Sequence, residues 1–166
     1  MSRWFFAAFV LMGLLFGSRR AFAQPPGSVA AKKTIRKDYD LIAHLSTKDG
    51  FEERIAQAAP DFTSTYTDGS KSSAADWVNT GREAIASFAP SFEDHLVIVS
   101  FAWRDGKAIV AVDDDVKTRL LKWGLSNPFE DQSVTRDTWG RIGKKWMRLS
   151  EVWLSERTWI NGQLQK

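Results

Sequence analysis

The spacing of apolar residues divides the chain into a helical first half and a β-rich second half. Residues 34–48 carry apolar side chains every three or four positions with charges between them, which predicts an amphipathic helix. A second, shorter helix is predicted over residues 51–58, because Pro60 prevents its continuation. After a short strand and turn over residues 62–71, the helical spacing returns and predicts a third helix over residues 73–88.

Beyond residue 90 the apolar positions alternate, as is typical of β-strands. The runs with this pattern are residues 92–103, 107–121, 132–141 and 145–159. Asp105 and Gly106 separate the first two runs and Gly143 lies between the last two, so two antiparallel hairpins are expected. Helices that precede an antiparallel sheet predict an α+β domain with the helices packed on one face of the sheet.

A two-residue turn at Asp105 and Gly106 predicts which residues face each other across the first hairpin. On one face the predicted pairs are Trp103 with Ala108, Phe101 with Val110, Val99 with Val112, Val97 with Asp114, and His95 with Val116. This face is apolar at almost every position, so we expect it to pack against the helices.

Asp114 is the exception on this apolar face. Burial of an isolated carboxylate costs on the order of several kcal/mol unless the group is paired. His95 lies diagonally across the predicted ladder, so one interpretation is a carboxylate and imidazole pair for general acid–base catalysis. The other interpretation is a solvated strand end, where Asp113, Asp114 and Asp115 form a polar rim.

The second hairpin has a less certain register, because its turn could hold two or three residues. A two-residue turn beginning at Gly143 would pair Arg136 with Glu151. It would also place Arg148 against the indole of Trp139, which is a cation–π geometry. A three-residue turn would change these pairs.

The last predicted strand carries large apolar groups on both faces. Met147, Leu149 and Trp153 lie on one face, and Trp146, Val152 and Leu154 on the other. A sheet with one solvated face should alternate more cleanly. We therefore expect another copy of the chain to cover the second face, which predicts a homodimer.

The first 23 residues have the pattern of a secretory signal peptide. Arg3 precedes an apolar run over residues 4–16, which is too short to cross a bilayer, and Ala21 and Ala23 form an A-x-A cleavage site. Residues 24–33 are predicted to be a linker, and residues 34–163 the domain. We expect a secreted or periplasmic protein with no stable membrane insertion after cleavage; retention as an uncleaved anchor is the alternative.

Composition narrows the possible partners. Cleavage would remove three arginines and no acid, leaving 20 of the 23 basic residues against 20 acidic ones, so a nucleic-acid partner is not expected. The chain has two distant histidines, His44 and His95, and no cysteine, so no metal site is predicted. No phosphate-cradling or dinucleotide motif occurs, and no cofactor is predicted.

Several short motifs resemble those of the nuclear transport factor 2-like superfamily, in its SnoaL-like and ketosteroid-isomerase-like branches. They are TKDG (residues 47–50), APDF (59–62), TDG (67–69), RDTW (136–139), KKWMRLSEVW (144–153) and RTWINGQ (157–163). The resemblance implies a cone, in which a strongly curved sheet wraps a long helix and leaves a pocket at the wide end. It also implies a dimer through the outer face of the sheet.

The resemblance does not imply one reaction, because the superfamily contains isomerases, dehydratases, cyclases, epoxide hydrolases and binding domains. The positions that match the catalytic tyrosine and aspartate of ketosteroid isomerases hold Leu41 and Tyr66. Steroid isomerisation is therefore not implied for this chain.

Three functional hypotheses follow. The first is a pocket that binds a small, partly apolar molecule, with predicted lining residues Tyr39, Tyr66, Trp77, Val97, Phe101, Asp114 and Arg136. The second is an isomerase, dehydratase or hydrolase that uses Asp114 and His95 as acid and base. The third is a non-catalytic, oligomerising accessory domain whose cone is filled by side chains.

Overall fold

The computed structural model describes residues 27–45, 47–90, 93–122 and 124–165. The predicted signal peptide lies outside the described residues. The helices are α1 (Ser28–Ile42), α2 (Thr47–Gln57) and α3 (Ala74–Ile85). The strands are β1 (Ala58–Thr65), β2 (Lys71–Ser73), β3 (Glu93–Arg104), β4 (Lys107–Lys122), β5 (Leu125–Ile142), β6 (Lys145–Ile160) and β7 (Gln163–Leu164). None of the described helices has the length and apolar character needed to span a membrane.

The first helix begins and ends earlier than the sequence predicted. Ala31, Ile35, Tyr39 and Ile42 form its buried stripe, so residues 28–33 belong to the helix and not to the predicted linker. The spacing of this stripe keeps all four side chains on one helix face. A short turn follows Ile42, and residues 47–50 open α2 rather than closing α1.

A short strand, β1, begins as soon as α2 ends. Pro60 cannot continue a helix, and it lies where the pairing of β1 with β6 is irregular, between Ala58 and Thr63. An irregular stretch tolerates a residue that lacks a backbone N–H. β1 runs parallel to β6, which makes the sheet mixed rather than purely antiparallel.

The predicted α+β class is confirmed. The main strands follow the order β2-β1-β6-β5-β4-β3 in one sheet, and the three helices pack against it. The core lies between the inner face of the sheet and the helices. It holds Ile35 and Tyr39 from α1 and Ala108, Val110, Val112 and Trp139 from the sheet. The sheet does not close on itself, since β2 and β3 form its two edges.

The first hairpin has the predicted turn but a different register over its outer half. Asp105 and Gly106 adopt positive φ angles of 50° and 74°, and the predicted pairing holds from the turn to Ser100 and Ala111. A β-bulge at Val99 then shifts the ladder by one residue. Such a slip moves every later side chain to the opposite face.

This bulge changes the positions of Asp114 and His95, the predicted catalytic pair, relative to each other. Asp114 is opposite Leu96, not Val97, and His95 is opposite Asp115. The predicted pairs of Val97 with Asp114 and of His95 with Val116 are therefore wrong. His95 lies on the outer face, and Asp94 turns inward in its place.

The second hairpin has a two-residue turn, so Trp139 faces Arg148 as predicted. A bulge at Leu149 then shifts the register, and Glu151 faces Asp137 instead of Arg136. Leu149 packs onto the space above Gly140, where an added Cβ would lie 2.5 Å from its Cδ1 atom. The predicted pair of Arg136 with Glu151 is wrong, and Arg136 lies opposite Val152.

Candidate functional site

A cavity of about 430 Å³ lies between the helices and the inner face of the sheet. Its apolar wall includes Ile42, Phe51, Trp77, Ile85, Phe88 and Trp153. Its polar residues lie mainly on the sheet and include Asp94, Asp114, Asp131, Ser133, Glu156 and Thr158, with Arg54 reaching in from α2. The helices thus contribute mainly apolar side chains to the cavity, and the sheet contributes its carboxyl groups together with the indole of Trp153.

Arg54 and Asp114 form the central ion pair of the cavity. Arg54 donates from Nη2 to Oδ2 of Asp114 at 2.7 Å, which ties α2 to β4. Burial alone would lower the pKa of Arg54, but Asp114 more than offsets it and the pKa is raised. Asp114 is only 8% exposed, so the predicted solvated strand end is wrong.

Asp94 is the third member of this group. Burial, together with the charge of Asp114 and a hydrogen bond between the two carboxyl groups, raises the pKa of Asp94 to about 7, although Arg54 opposes the shift. Two carboxyl groups can form such a bond only when they share a proton. Oδ1 of each residue is buried and has no hydrogen-bond partner among the described residues, so one proton held between the two groups would satisfy both.

Asp131 and Glu156 add two more carboxyl groups to the cavity. Asp131 accepts a hydrogen bond from Oγ1 of Thr158 at 2.7 Å. Burial raises the pKa of Asp131 and, together with the charge of Asp131, that of Glu156. Among the described residues that line the cavity, Arg54 is the only basic one. No group of described side chains is arranged to hold a metal ion.

A second polar group, which we call the buried cluster, lies deeper on the inner face. Its members are Tyr39, Asp137, Trp139, Arg148 and Glu151. Tyr39 donates from its hydroxyl to Oδ2 of Asp137 at 2.5 Å and accepts from Nε1 of Trp139 at 2.9 Å.

The buried cluster is closed by Arg148. Its Nη1 lies 3.1 Å from Oε2 of Glu151 and 3.5 Å from Oδ2 of Asp137. Its guanidinium also stacks over the rings of Phe62 and Trp77, at 5.0 and 5.2 Å from their centroids. Burial raises the pKa of Asp137 to about 6, although Arg148 opposes this shift.

Glu151 connects the buried cluster to the cavity, because it belongs to the cluster and also lines the cavity floor. Its Oε1 accepts from Oγ of Ser64 at 3.1 Å and from Nε1 of Trp153 at 2.8 Å. Because these bonds join Glu151 to other side chains of the protein, we assign Glu151 a structural role.

The predicted pocket residues occupy different parts of the molecule. Trp77 and Asp114 line the cavity. Tyr39 belongs to the buried cluster, and Phe101 lies farther along the inner face, under the ammonium group of Lys32 at 5.3 Å. Tyr66 packs beside the cavity wall rather than in it.

The other predicted site residues, His95, Val97 and Arg136, lie on the outer face of the sheet. His95 and Val97 lie beyond the bulge at Val99, which a regular ladder does not contain. Arg136 lies on the unbulged strand β5, where Thr135 and Asp137 are the residues that turn inward. Their predicted place in a pocket with Asp114 is therefore wrong.

The cavity residues that sequence reasoning missed include four charged ones: Arg54, Asp94, Asp131 and Glu156. A signal for Asp131 exists, because it alternates in step with Trp139 and Asp137 along β5. A signal for Arg54 is its position three residues after Phe51 on the same helix face. Asp94 and Glu156 lie on the far side of bulges from the hairpin turns, and no local sequence pattern predicts their place in the cavity.

No family model matches the chain, and no curated protein is similar to it in sequence. Solved structures, in contrast, match most of its length. A type 2 hexachlorocyclohexane dehydrochlorinase superposes with a TM-score of 0.60 and 10% identity, over 82% of this chain and 88% of that one.

Two further matches have named sources. A putative scytalone dehydratase from Novosphingobium aromaticivorans matches with a TM-score of 0.56 and 14% identity, over 77% of this chain and 84% of that one. A nuclear transport factor 2-like protein of unknown function from Pseudomonas putida has a TM-score of 0.56 and 12% identity, over 76% and 87% of the two chains. The fold of this chain is therefore nuclear transport factor 2-like, as the motifs predicted. At these identities the likeness extends to the fold alone.

Proposed function

We propose that this protein binds a small, partly apolar molecule in the cavity between the helices and the inner face of the sheet. The observation that carries the proposal is the unfilled volume of about 430 Å³, with an apolar wall on one side and convergent polar groups on the other. Ligand pockets of proteins have volumes of roughly 300 to 1,000 Å³ and this division of chemistry. An accessory domain with a filled cone would not need such a cavity.

A substitution that fills the cavity tests this proposal. Ser133 is buried and points into the cavity from β5, whereas its neighbour Gln132 is exposed on the opposite face. We expect Ser133→Phe to abolish binding of the neutral naphthalene dye prodan and Gln132→Phe to leave it unchanged. Native mass spectrometry of the purified protein should also show a retained small molecule in the wild type but not in Ser133→Phe. Equal dye binding by the two variants would place the ligand elsewhere.

A second candidate function is acid–base catalysis, in the class of isomerases, dehydratases and hydrolases. The observation that favours it is the pair of carboxyl groups of Asp94 and Asp114 in the cavity, both with an unpartnered Oδ1 atom, of which Asp94 has a pKa raised to about 7. This pair replaces the predicted pair of Asp114 and His95. Acid–base groups work best when their pKa lies near the working pH. Two of the structural neighbours are named as a dehydratase and a dehydrochlorinase.

In a dehydration, the Asp114 carboxylate would remove a proton from the carbon next to a carbonyl. Asp94 would give its proton to the leaving hydroxyl group, so that water and an unsaturated carbonyl compound form. Return of the proton from Asp114 to Asp94 would restore the pair. Arg54 would hold the Asp114 carboxylate in position throughout.

The dehydration of 4-hydroxy-4-phenylbutan-2-one, followed by absorbance of the enone, tests this candidate. We expect Asp94→Asn and Asp114→Asn each to abolish turnover, because each removes one of the two proton-transfer groups. Asp113→Asn is the matched control, since Asp113 is exposed on the outer face between two inward-facing positions of β4. Loss of activity in the control as well would refute the assigned roles.

We further propose that the outer face of the sheet forms a homodimer interface. Val97, Val99 and Leu154 support this, with exposed fractions of 45%, 63% and 49%. The double variant Val99→Lys, Leu154→Lys should be a monomer by size-exclusion chromatography with light scattering, under conditions where the wild type is a dimer. A monomeric wild type would rule the interface out.

Export also remains a proposal. The chain would reach the periplasm or the outside of the cell after cleavage behind Ala23. The intact mass of the exported protein should then correspond to a chain that begins at Gln24.

A further inference from the structure

The described side chains that line the cavity include more acidic groups than basic ones. Five carboxyl groups line it, and Glu151 among them is paired with Arg148 of the buried cluster. This leaves Asp94, Asp114, Asp131 and Glu156, and Arg54 is the only described basic residue among the lining side chains. Arg54 is already paired with Asp114 at 2.7 Å. The remaining three carboxyl groups therefore have no cationic partner in the cavity.

Asp114 carries a second, independent sign of a missing partner. It is 92% removed from solvent, at 8% exposure, and its Oδ1 atom has no hydrogen-bond donor in the described structure. Oδ1 of Asp94 is also buried and also has no hydrogen-bond donor in the described structure. Either one proton held between the two groups or a donor group of a ligand would satisfy these atoms.

The surroundings of this pair restrict the ligand. An anion would face three uncompensated carboxyl groups, while its one possible cationic partner, Arg54, is already paired. A metal ion finds no suitable group of ligands among the described side chains. Aromatic residues of the wall, Trp153 and Phe129, favour an organic cation, because ring faces attract positive charge.

We infer that the ligand carries an amine that is protonated at neutral pH, and that its ammonium group binds between Asp94 and Asp114 with Asp131 and Glu156 nearby. This inference rests on the proposed binding function and narrows its ligand class. The apolar part of the ligand lies against the wall formed by α2 and α3. The ammonium group replaces the proton that the two aspartates share, so binding of the cation releases a proton to solvent.

The pH dependence follows from the groups that face Asp94. They are Arg54 from α2, Asp114 and Val116 from β4, Asp131 from β5, and Glu151 and Glu156 from β6. α1 and α3 contribute apolar residues such as Ile42 and Ile85. A bound cation favours the ionised form of Asp94, so its affinity should rise from acidic to neutral pH.

Three ligands of matched shape test the inference: 1-naphthylmethylammonium, 1-naphthalenemethanol and 1-naphthoate. Isothermal titration calorimetry with the full chain should give an affinity for the ammonium compound about tenfold or more above that of the alcohol, and no binding of the carboxylate. Titration at about pH 6.5 in phosphate and in HEPES, whose ionisation enthalpies differ, should show release of a proton, and at about pH 8 the release should be much smaller.

Asp94→Asn is the informative variant, since Asp94 has no ion pair of its own to lose. We expect the ammonium preference to fall about tenfold and proton release to disappear, while the affinity for the alcohol is unchanged. Asp113→Asn, on the outer face, should behave as the wild type. Coincident circular dichroism spectra and thermal unfolding would establish that both variants are folded.

The affinities of the three compounds distinguish failure of the amine inference from failure of the proposed binding function. If the alcohol binds in the cavity as tightly as the ammonium compound, the amine inference is wrong and the proposed function stands. A preference for the carboxylate would also overturn the inference. If none of the three compounds binds, both the inference and the binding of naphthalene-sized ligands are refuted.

Discussion

The buried cluster and the cavity contain similar side chains on the same face of the same sheet, but they differ in how completely those side chains are paired. In the buried cluster, Arg148 lies between Asp137 and Glu151, and Tyr39 supplies a further donor. In the cavity, one arginine serves four carboxyl groups beside an unfilled volume. The difference indicates that the cluster holds the fold together, whereas the cavity is organised for a ligand.

The largest effect is expected in the buried cluster. Arg148→Met keeps most of the side-chain volume but leaves Asp137 and Glu151 buried without their shared cation. We expect the free energy of unfolding to fall by about 3 to 5 kcal/mol, as found when one member of a buried ion pair is removed. Urea unfolding of the wild type and the variant measures this. If Arg148→Met lowers the free energy of unfolding no more than Arg54→Met does, the proposed difference between the buried cluster and the cavity is wrong.

A smaller effect is expected from the proton of Asp94. Its pKa is raised to about 7 in the folded chain, above the value of about 3.9 in an unfolded chain. The folded state therefore holds more protons between these values, so this contribution to stability is full below about pH 4 and is lost as the pH rises through about 7.

Asp94→Asn should remove this dependence. Relative to the wild type, the variant should gain about 1 to 3 kcal/mol in free energy of unfolding between about pH 5 and pH 8, after allowance for partial solvation. Asp137, whose pKa is raised to about 6, gives a residual slope of the same sign in both proteins. Urea unfolding at the two pH values, with Asp113→Asn as control, checks the difference. If the free energy of unfolding of Asp94→Asn falls with pH as steeply as that of the wild type, Asp94 does not hold an extra proton in the folded state.

The smallest effects are expected where water reaches the ion pair. Arg54→Met removes a pair whose side chains are 22% and 11% exposed, against 2% for those of Arg148 and Asp137, so a loss of about 2 kcal/mol, smaller than that of Arg148→Met, is expected. Arg82→Met, which breaks an exposed bidentate pair with Glu52 at 2.8 Å, should leave unfolding unchanged. The order Arg148, Arg54, Arg82 therefore tests whether burial decides the contribution of each arginine. A reversal of the last two would contradict it.

Sequence reasoning came closest where local chemistry acts alone. The two turns at Asp105 and Gly143, the α+β class and the nuclear transport factor 2-like fold were all predicted. The conclusion that Asp114 needs a partner was also right, since a carboxylate among apolar neighbours cannot remain unpaired. The partner itself, Arg54, lies 60 positions away along the chain, so the pattern around Asp114 does not indicate it.

The chain by itself determines the periodicities that make its helices and strands, because these depend on neighbouring side chains. Only the tertiary structure decides the bulges at Val99 and Leu149, because a bulge arises where a strand must bend to pack on the rest of the molecule. Each bulge reverses the faces of the residues beyond it, and on β6 a second bulge at Leu154 reverses them again. These reversals put Asp94 in the cavity in place of His95, pair Glu151 with Asp137 in place of Arg136, and turn Glu156 inward. The chemistry of the site was thus set by three single-residue shifts that no local pattern records.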